Sequence, residues 1–194
     1  SLSSHKFNGP KGVGALWVKR GSRLAATMTG GRQERNRRAG TENVPGISAL
    51  GAAARLAEKK LATRGERATA ELRNRLETGV LANVPGTVLN GNGADRVPNT
   101  TNISFDRVEA ESLLIALDLE GIAVSTGTAC SSGTLEPSHV LRAMGLSPHR
   151  TQNSIRFSLG LDNTTAQIDH VIKIMPRIVE KLRTLSRSGS PVRS

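Results

Sequence analysis

Ile122-Ala123-Val124-Ser125-Thr126-Gly127-Thr128-Ala129-Cys130-Ser131-Ser132-Gly133 changes character part-way along. Its first three residues read as a strand. From Ser125 onward no side chain is large enough to build a core, and Gly127 and Gly133 free the backbone to turn, so the strand delivers the chain into a loop. Working outward, the neighbours alternate. Upstream, Ile47, Leu50, Ala53, Ala54, Leu56, Ala57 and Leu61 recur at helical spacing and continue through Leu72, Leu76 and Val80. That predicts one long helix, or two joined near Gly65. Val88-Leu89 and Thr100 to Phe105 read as strands, separated by Asn90-Gly91-Asn92-Gly93 as a turn. A helix is expected from about Glu109 to Glu120, capped by Asp106 and stopped by Gly121. Downstream come a short helix from Val140 to Met144 ended by Gly145, a strand from Ser154 to Ser158, and a last helix. That helix opens at Thr164 with Gln167 three residues on, a capping-box pattern, and is expected to reach about Leu185 with a kink at Pro176. Helices alternating with strands in this way predict a small α/β or α+β domain with helices packed on a sheet.

Composition narrows the class. At 194 residues and 37% hydrophobic content the chain can bury one sizeable core or two small ones. No run of about 18 apolar residues exists, so no membrane span is expected. No basic-then-apolar leader is seen either, and a cytoplasmic location is expected. A single cysteine cannot close an internal disulfide, in keeping with a reducing compartment. The net charge of +11 is concentrated between Lys19 and Arg38 and in the tail from Lys181 to Arg193. Such an excess suits nucleic acid, but an aromatic content of 2% with no tyrosine leaves little for bases to stack on. An acidic protein partner or a phosphorylated cofactor fits the same charge.

Two places carry chemistry. Cys130, among small and hydroxyl-bearing residues, is placed to react rather than to pack, against the plain alternative of a chance surface cysteine. Near the start, Ser3-Ser4-His5-Lys6-Phe7 precedes the glycine-rich turn Asn8-Gly9-Pro10-Lys11-Gly12-Val13-Gly14, and Ala15-Leu16-Trp17-Val18 reads as a strand. A lysine between two strands beside Ser3 and His5 has the make-up of a site for a phosphorylated aldehyde. The hydroxyl and imidazole would hold the phosphate, and a buried amine would form the imine. Lys11, in the turn, is the rival for the imine.

These segments together resemble a known family. Ser3-Ser4-His5-Lys6 with Gly9-Pro10-Lys11-Gly12 is similar to the cofactor-lysine motif of the cysteine desulfurases, the NifS/IscS group of the class V aminotransferases. Gly30-Gly31-Arg32-Gln33-Glu34-Arg35-Asn36-Arg37-Arg38-Ala39-Gly40-Thr41-Glu42-Asn43 resembles that family's loop reaching across a dimer. Thr128-Ala129-Cys130-Ser131-Ser132-Gly133, followed by Glu136-Pro137-Ser138-His139-Val140-Leu141, resembles its mobile catalytic loop, and Ser154-Ile155-Arg156-Phe157-Ser158-Leu159-Gly160 its substrate-carboxylate segment. The resemblance runs from Ser1 to roughly Leu185. It implies pyridoxal 5'-phosphate as cofactor, bound by Lys6, with Ser3 and His5 on its phosphate and Thr41 on that of the neighbouring subunit of a homodimer. It implies that Arg156 holds the carboxylate of L-cysteine, unless that arginine simply lies at a solvated edge, and that Cys130 takes the sulfur as a persulfide, leaving L-alanine. An iron–sulfur scaffold protein or another sulfur acceptor would follow as partner, with Cys130 a candidate ligand of a metal cluster shared with it.

The implied fold is type I of the pyridoxal-phosphate enzymes. Residues 1–59 would be the end of the large cofactor domain, 60–186 the small C-terminal domain, and 187–194 a disordered tail. The family's first half, which stacks on the pyridine ring and closes the phosphate cup, has no counterpart here, so a fragment is expected. Two other readings stay open: a selenocysteine lyase-like enzyme that does not need Cys130, and a non-catalytic dimerisation or scaffold-binding remnant.

Overall fold

The computed structural model describes residues 1–126 and 138–188, with backbone alone at 64–66 and 187–188. Two compact units emerge, Ser1–Thr63 and Arg64–Ser194.

In the first unit, β1 (Leu2–Ser3) pairs antiparallel with β2 (Gly14–Ala15) across a short 3₁₀ turn, Ser4–Phe7. A second ribbon pairs β3 (Arg32–Gln33) with β4 (Arg38–Ala39). Between them Glu34, Arg35 and Asn36 all take left-handed backbone, at φ 49°, 57° and 64°. Each such non-glycine residue costs on the order of 1–3 kcal/mol. The expected strand over Ala15–Val18 is confined to its first residue, because Ala15 has a partner in Leu2 while Trp17 stands 80% exposed.

The helical periodicity after Gly46 forms a single helix, α1 (Val44–Asn83), within which the unit boundary falls. Asn43 starts it, its Oδ1 accepting the Gly46 N–H at 3.1 Å.

In the second unit the strands are β5 (Thr87–Leu89), β6 (Thr100–Phe105) and β7 (Ser154–Ser158), antiparallel in that order, where the sequence predicts them. Its helices are α2 (Ala110–Asp118), α3 (His139–Ala143), α4 (Pro148–Gln152) and α5 (Thr165–Ser188). Strand alternation divides the sheet. Ile103, Phe105, Ile155 and Phe157 face one side and are buried with Leu113 and Leu117 of α2 and Met175 and Val179 of α5. Burying each such side chain stabilises by roughly 1.5–3 kcal/mol. Thr100, Asn102, Ser104, Ser154, Arg156 and Ser158 alternate to the other side. The last turn of α1 approaches α5 closely: a Cβ on Gly79 would lie 2.7 Å from Ile172 Cγ1.

The sequence-based expectations need four corrections here. Asp106 does not cap α2; its N–H donates to the Gly86 carbonyl at 2.8 Å, and Glu109 occupies the cap position without a side-chain bond to a helix N–H. Ile122–Val124 forms no strand; pairing begins only at Ser125. α4 was not expected, although Ser147 caps it and Pro148 opens it. Arg187 and Ser188 belong to α5, so the chain is still helical at the start of the expected tail, whose last residues, 189–194, lie outside the described ones. The capping box is as predicted: the Gln167 N–H donates to Thr164 Oγ1 at 3.3 Å and the Thr164 N–H to Gln167 Oε1 at 3.0 Å. α5 continues through Pro176.

Candidate active site

In the first unit the Ser3–Lys6 segment is shaped by its backbone. The Ser4 N–H donates to the Val13 carbonyl at 3.1 Å, and the Gly9 N–H closes the turn on the Ser4 carbonyl at 2.9 Å. Asn8 ends the turn in left-handed conformation at φ 68°. A Cβ on Gly9 would collide with Ser4 Oγ and press on Ala53 Cβ, so glycine lets the turn pack closely there. The result buries Ser4 and leaves Ser3, His5 and Lys6 exposed on one turn. This corrects the expectation of a buried lysine. None of the three side chains hydrogen-bonds to another described residue, so hydroxyl, imidazole and amine are all available. That donor set fits a phosphate dianion beside an aldehyde. Thr41, between β4 and α1, is exposed as well. Lys11 is exposed in the turn.

In the second unit Arg156 sits half-buried on the polar side of the sheet. Its backbone N–H donates to the Ser125 carbonyl at 2.7 Å, and its carbonyl accepts the Ser125 N–H at 3.1 Å. Both backbone groups of Arg156 thus point away from β6. Its cross-strand neighbour Asn102 is therefore a non-hydrogen-bonded partner, the closer kind, with Cα atoms about 4.5 Å apart. Cys130 lies outside the described residues, and so does any metal ligation by it. The segment that leads to it starts from the Ser125–Arg156 bridge. The segment that leaves it reaches buried Ser138, whose Oγ caps α3 by accepting the Leu141 N–H at 3.4 Å. Among the described residues no group of three or more His, Cys, Asp or Glu side chains could hold a metal ion.

Beside Arg156 the structure adds residues that the sequence reading missed. Asn90, expected in a turn, is buried. Its Nδ2 donates to Asn102 Oδ1 at 2.6 Å and lies 2.8 Å from Ser104 Oγ, and its Oδ1 accepts from Arg150 Nε at 2.8 Å. Ser154 Oγ donates to the Arg150 carbonyl at 2.6 Å. The only sequence signal for this cluster is the alternation of polar residues in β6 and β7. Which polar residues would meet depends on strand register.

The charged groups behind the sheet are structural. Burial alone would raise the Glu77 carboxyl; the hydrogen bonds from Arg96, at 2.8 and 3.2 Å, and the charges of Arg96 and Arg73 outweigh it and hold it below the usual carboxylate range.

Comparison with known proteins bears on the family and the fold. The aminotransferase class-V family model matches residues 1–171. The chain is 54% identical over 186 residues to a cysteine desulfurase of Trichormus azollae, covering 96% of this chain and 46% of that protein. It is 48% identical, with the same coverage, to the cysteine desulfurase IscS of Methanosarcina thermophila. Among solved structures a NifS-like protein superposes with a TM-score of 0.81 at 34% identity, over 93% of this chain and 45% of that one. A NifS-like protein from Rickettsia africae gives 0.80 at 32%, over 92% and 46%. The chain spans about half the length of the relatives it matches. The expected fold class is borne out by these superpositions, and by sequence and fold alike the chain belongs to the aminotransferase class-V family.

Proposed function

We propose that the chain is the cysteine-bearing half of a cysteine desulfurase, an enzyme that takes sulfur from L-cysteine and leaves L-alanine and a persulfide on Cys130. The observation that carries this reading is the bridge between Ser125 and Arg156. Five residues of chain cannot place Cys130 further than about 18 Å from Ser125, whatever their conformation. A thiol tethered that closely to a carboxylate-binding arginine is within reach of the substrate which that arginine would orient.

In this mechanism Arg156 binds the substrate carboxylate as a planar two-pronged donor and fixes its orientation. Ser3 and His5 hold the cofactor phosphate, and Thr41 serves the phosphate of a partner subunit. Pyridoxal 5'-phosphate, the family's cofactor, supplies an electron sink when bound. Lys6 is its anchoring amine and carries a proton to and from the substrate's α-carbon. The Cys130 thiolate attacks the substrate sulfur; an S–S bond forms, the substrate C–S bond breaks, and its electron pair returns to the carbon, which is protonated to give alanine. The reaction balances without an outside oxidant: one thiol and one cysteine become one hydropersulfide and one alanine.

On this reading residues 1–59 are the end of a large cofactor domain, 60–186 a small domain, and 187–194 a tail. The enzyme is a cytoplasmic homodimer serving an iron–sulfur scaffold or another sulfur acceptor. No described helix is long and apolar enough to cross a membrane. The test is release of alanine and of reducible sulfide from L-cysteine by the full-length protein. Cys130→Ala is expected to lose at least a hundredfold in sulfide formation; undiminished sulfide and alanine formation by that variant would overturn the proposal.

A further inference from the structure

The polar face around Arg156 contains a hydrogen-bond chain whose direction is fixed by chemistry. Arg150 can only donate. Its Nε lies 2.8 Å from one amide atom of Asn90, so that atom is the carbonyl oxygen. The Asn90 amide nitrogen then faces the other way, 2.6 Å from an amide atom of Asn102, which must accept and is therefore Oδ1. A permanent cation at one end thus settles the orientation of two amides that would otherwise be free to flip.

The far end of the chain is consequential. Asn102 stands on the central strand, β6, with Asn90 on the β5 side and Arg156 opposite it on β7. With its oxygen turned to Asn90, its NH₂ group is turned toward the Arg156 side. That NH₂ makes no hydrogen bond to any described residue. The face thus presents an amide donor beside a guanidinium, in the closer class of cross-strand pairs. Two donor groups side by side on one face match an anion with two oxygens.

We propose that Asn102 is a second ligand of the substrate carboxylate beside Arg156, and that Arg150, acting through Asn90, is a positioning residue that keeps the Asn102 donors facing it. The proposal rests on the reading of Arg156 as the carboxylate site. The donor pair selects substrates that carry a carboxylate on the α-carbon and discriminates against the corresponding amines.

The test measures binding to the full-length, cofactor-loaded protein, using L-alanine and its decarboxylated analogue ethylamine, alongside turnover of L-cysteine. Removing a hydrogen bond to a charged group lowers affinity by about 10- to 100-fold. Asn102→Ala is expected to weaken L-alanine by about that factor, leave ethylamine unchanged, and raise KM for cysteine with kcat little altered. Asn102→Asp separates a binding role from a structural one. It still accepts from Asn90 but offers the ligand a negative charge in place of a donor, so it is expected to weaken L-alanine more than the alanine variant does. Arg150→Gln, which lets the chain invert, is expected to cost a few-fold, whereas Arg150→Lys, still donor-only, retains most of the affinity. The proposal is overturned if the aspartate variant binds L-alanine as the unaltered protein does, or if ethylamine weakens in parallel with L-alanine. Unaltered protein that releases no alanine from cysteine, yet binds L-alanine with this variant pattern, would sink the desulfurase reading and leave the carboxylate site standing.

Discussion

In Arg64–Ser194 a continuous cluster from Leu76 to Val179 is buried around one face of the sheet, with Phe105, Leu113 and Met175 wholly inaccessible. In Ser1–Thr63 the buried apolar side chains come down to Ala53, while Leu2, Leu16, Trp17 and Val44 stand more than half exposed. The conformation of the first unit is carried by backbone hydrogen bonds, short ribbons and left-handed turns; that of the second is carried by burial. Each unit also presents its candidate residues accordingly. Ser3, His5, Lys6 and Thr41 are all exposed, whereas Arg156 is half-buried on a sheet whose reverse face is the core. Chemistry in the second unit is built on a rigid support, and in the first on a bent backbone.

The largest difference should appear in hydrogen exchange of the 194-residue chain. Amides of Ile103 and Ile155 are expected to exchange only on global unfolding, and those of Lys6 and Phe7 orders of magnitude faster, close to open-chain rates. Equal protection in the two units would break the contrast. Next, Phe105→Ala is expected to cost about 3–5 kcal/mol in urea denaturation, and Trp17→Ala within about 0.5 kcal/mol. A Trp17 effect as large as that of Phe105 would mean that the first unit has a core of its own. The third effect is smaller and depends on pH. Because the Glu77 carboxyl sits below its ordinary range in the folded chain, its stabilisation is present at neutral pH and disappears as pH falls through and below about 4.3, the unfolded value. Glu77→Gln is expected to lower stability at pH 7 by about 1–3 kcal/mol and to flatten the acid limb of the stability profile. An unchanged profile would remove Glu77 from the account.

How far the chain could be read without coordinates follows from the range of each interaction. Strands β6 and β7, the long helix α1 and the Thr164–Gln167 box are specified by residues two to four positions apart, and all were legible. Asn90 was not, because its partners at 102, 104 and 150 come together only once three strands and α4 are in register. Trp17 misled for the opposite reason: a β-favouring side chain signals a strand only where a partner exists, and pairing stops at Ala15. Likewise, a lysine flanked by strands reads as buried, but a single 3₁₀ turn between them lifts Lys6 outward. The exposure of Ser3, His5 and Lys6 was not legible.

The contact between Gly79 and Ile172 bears on how this sequence can drift over generations. Helix interiors favour alanine over glycine by about 1 kcal/mol, so an alanine at position 79 gains locally while it forces the isoleucine aside. A lineage can pass through that change most readily if position 172 shrinks first, to valine or alanine. The two sites should therefore vary together among descendants, with the larger residue seldom present at both.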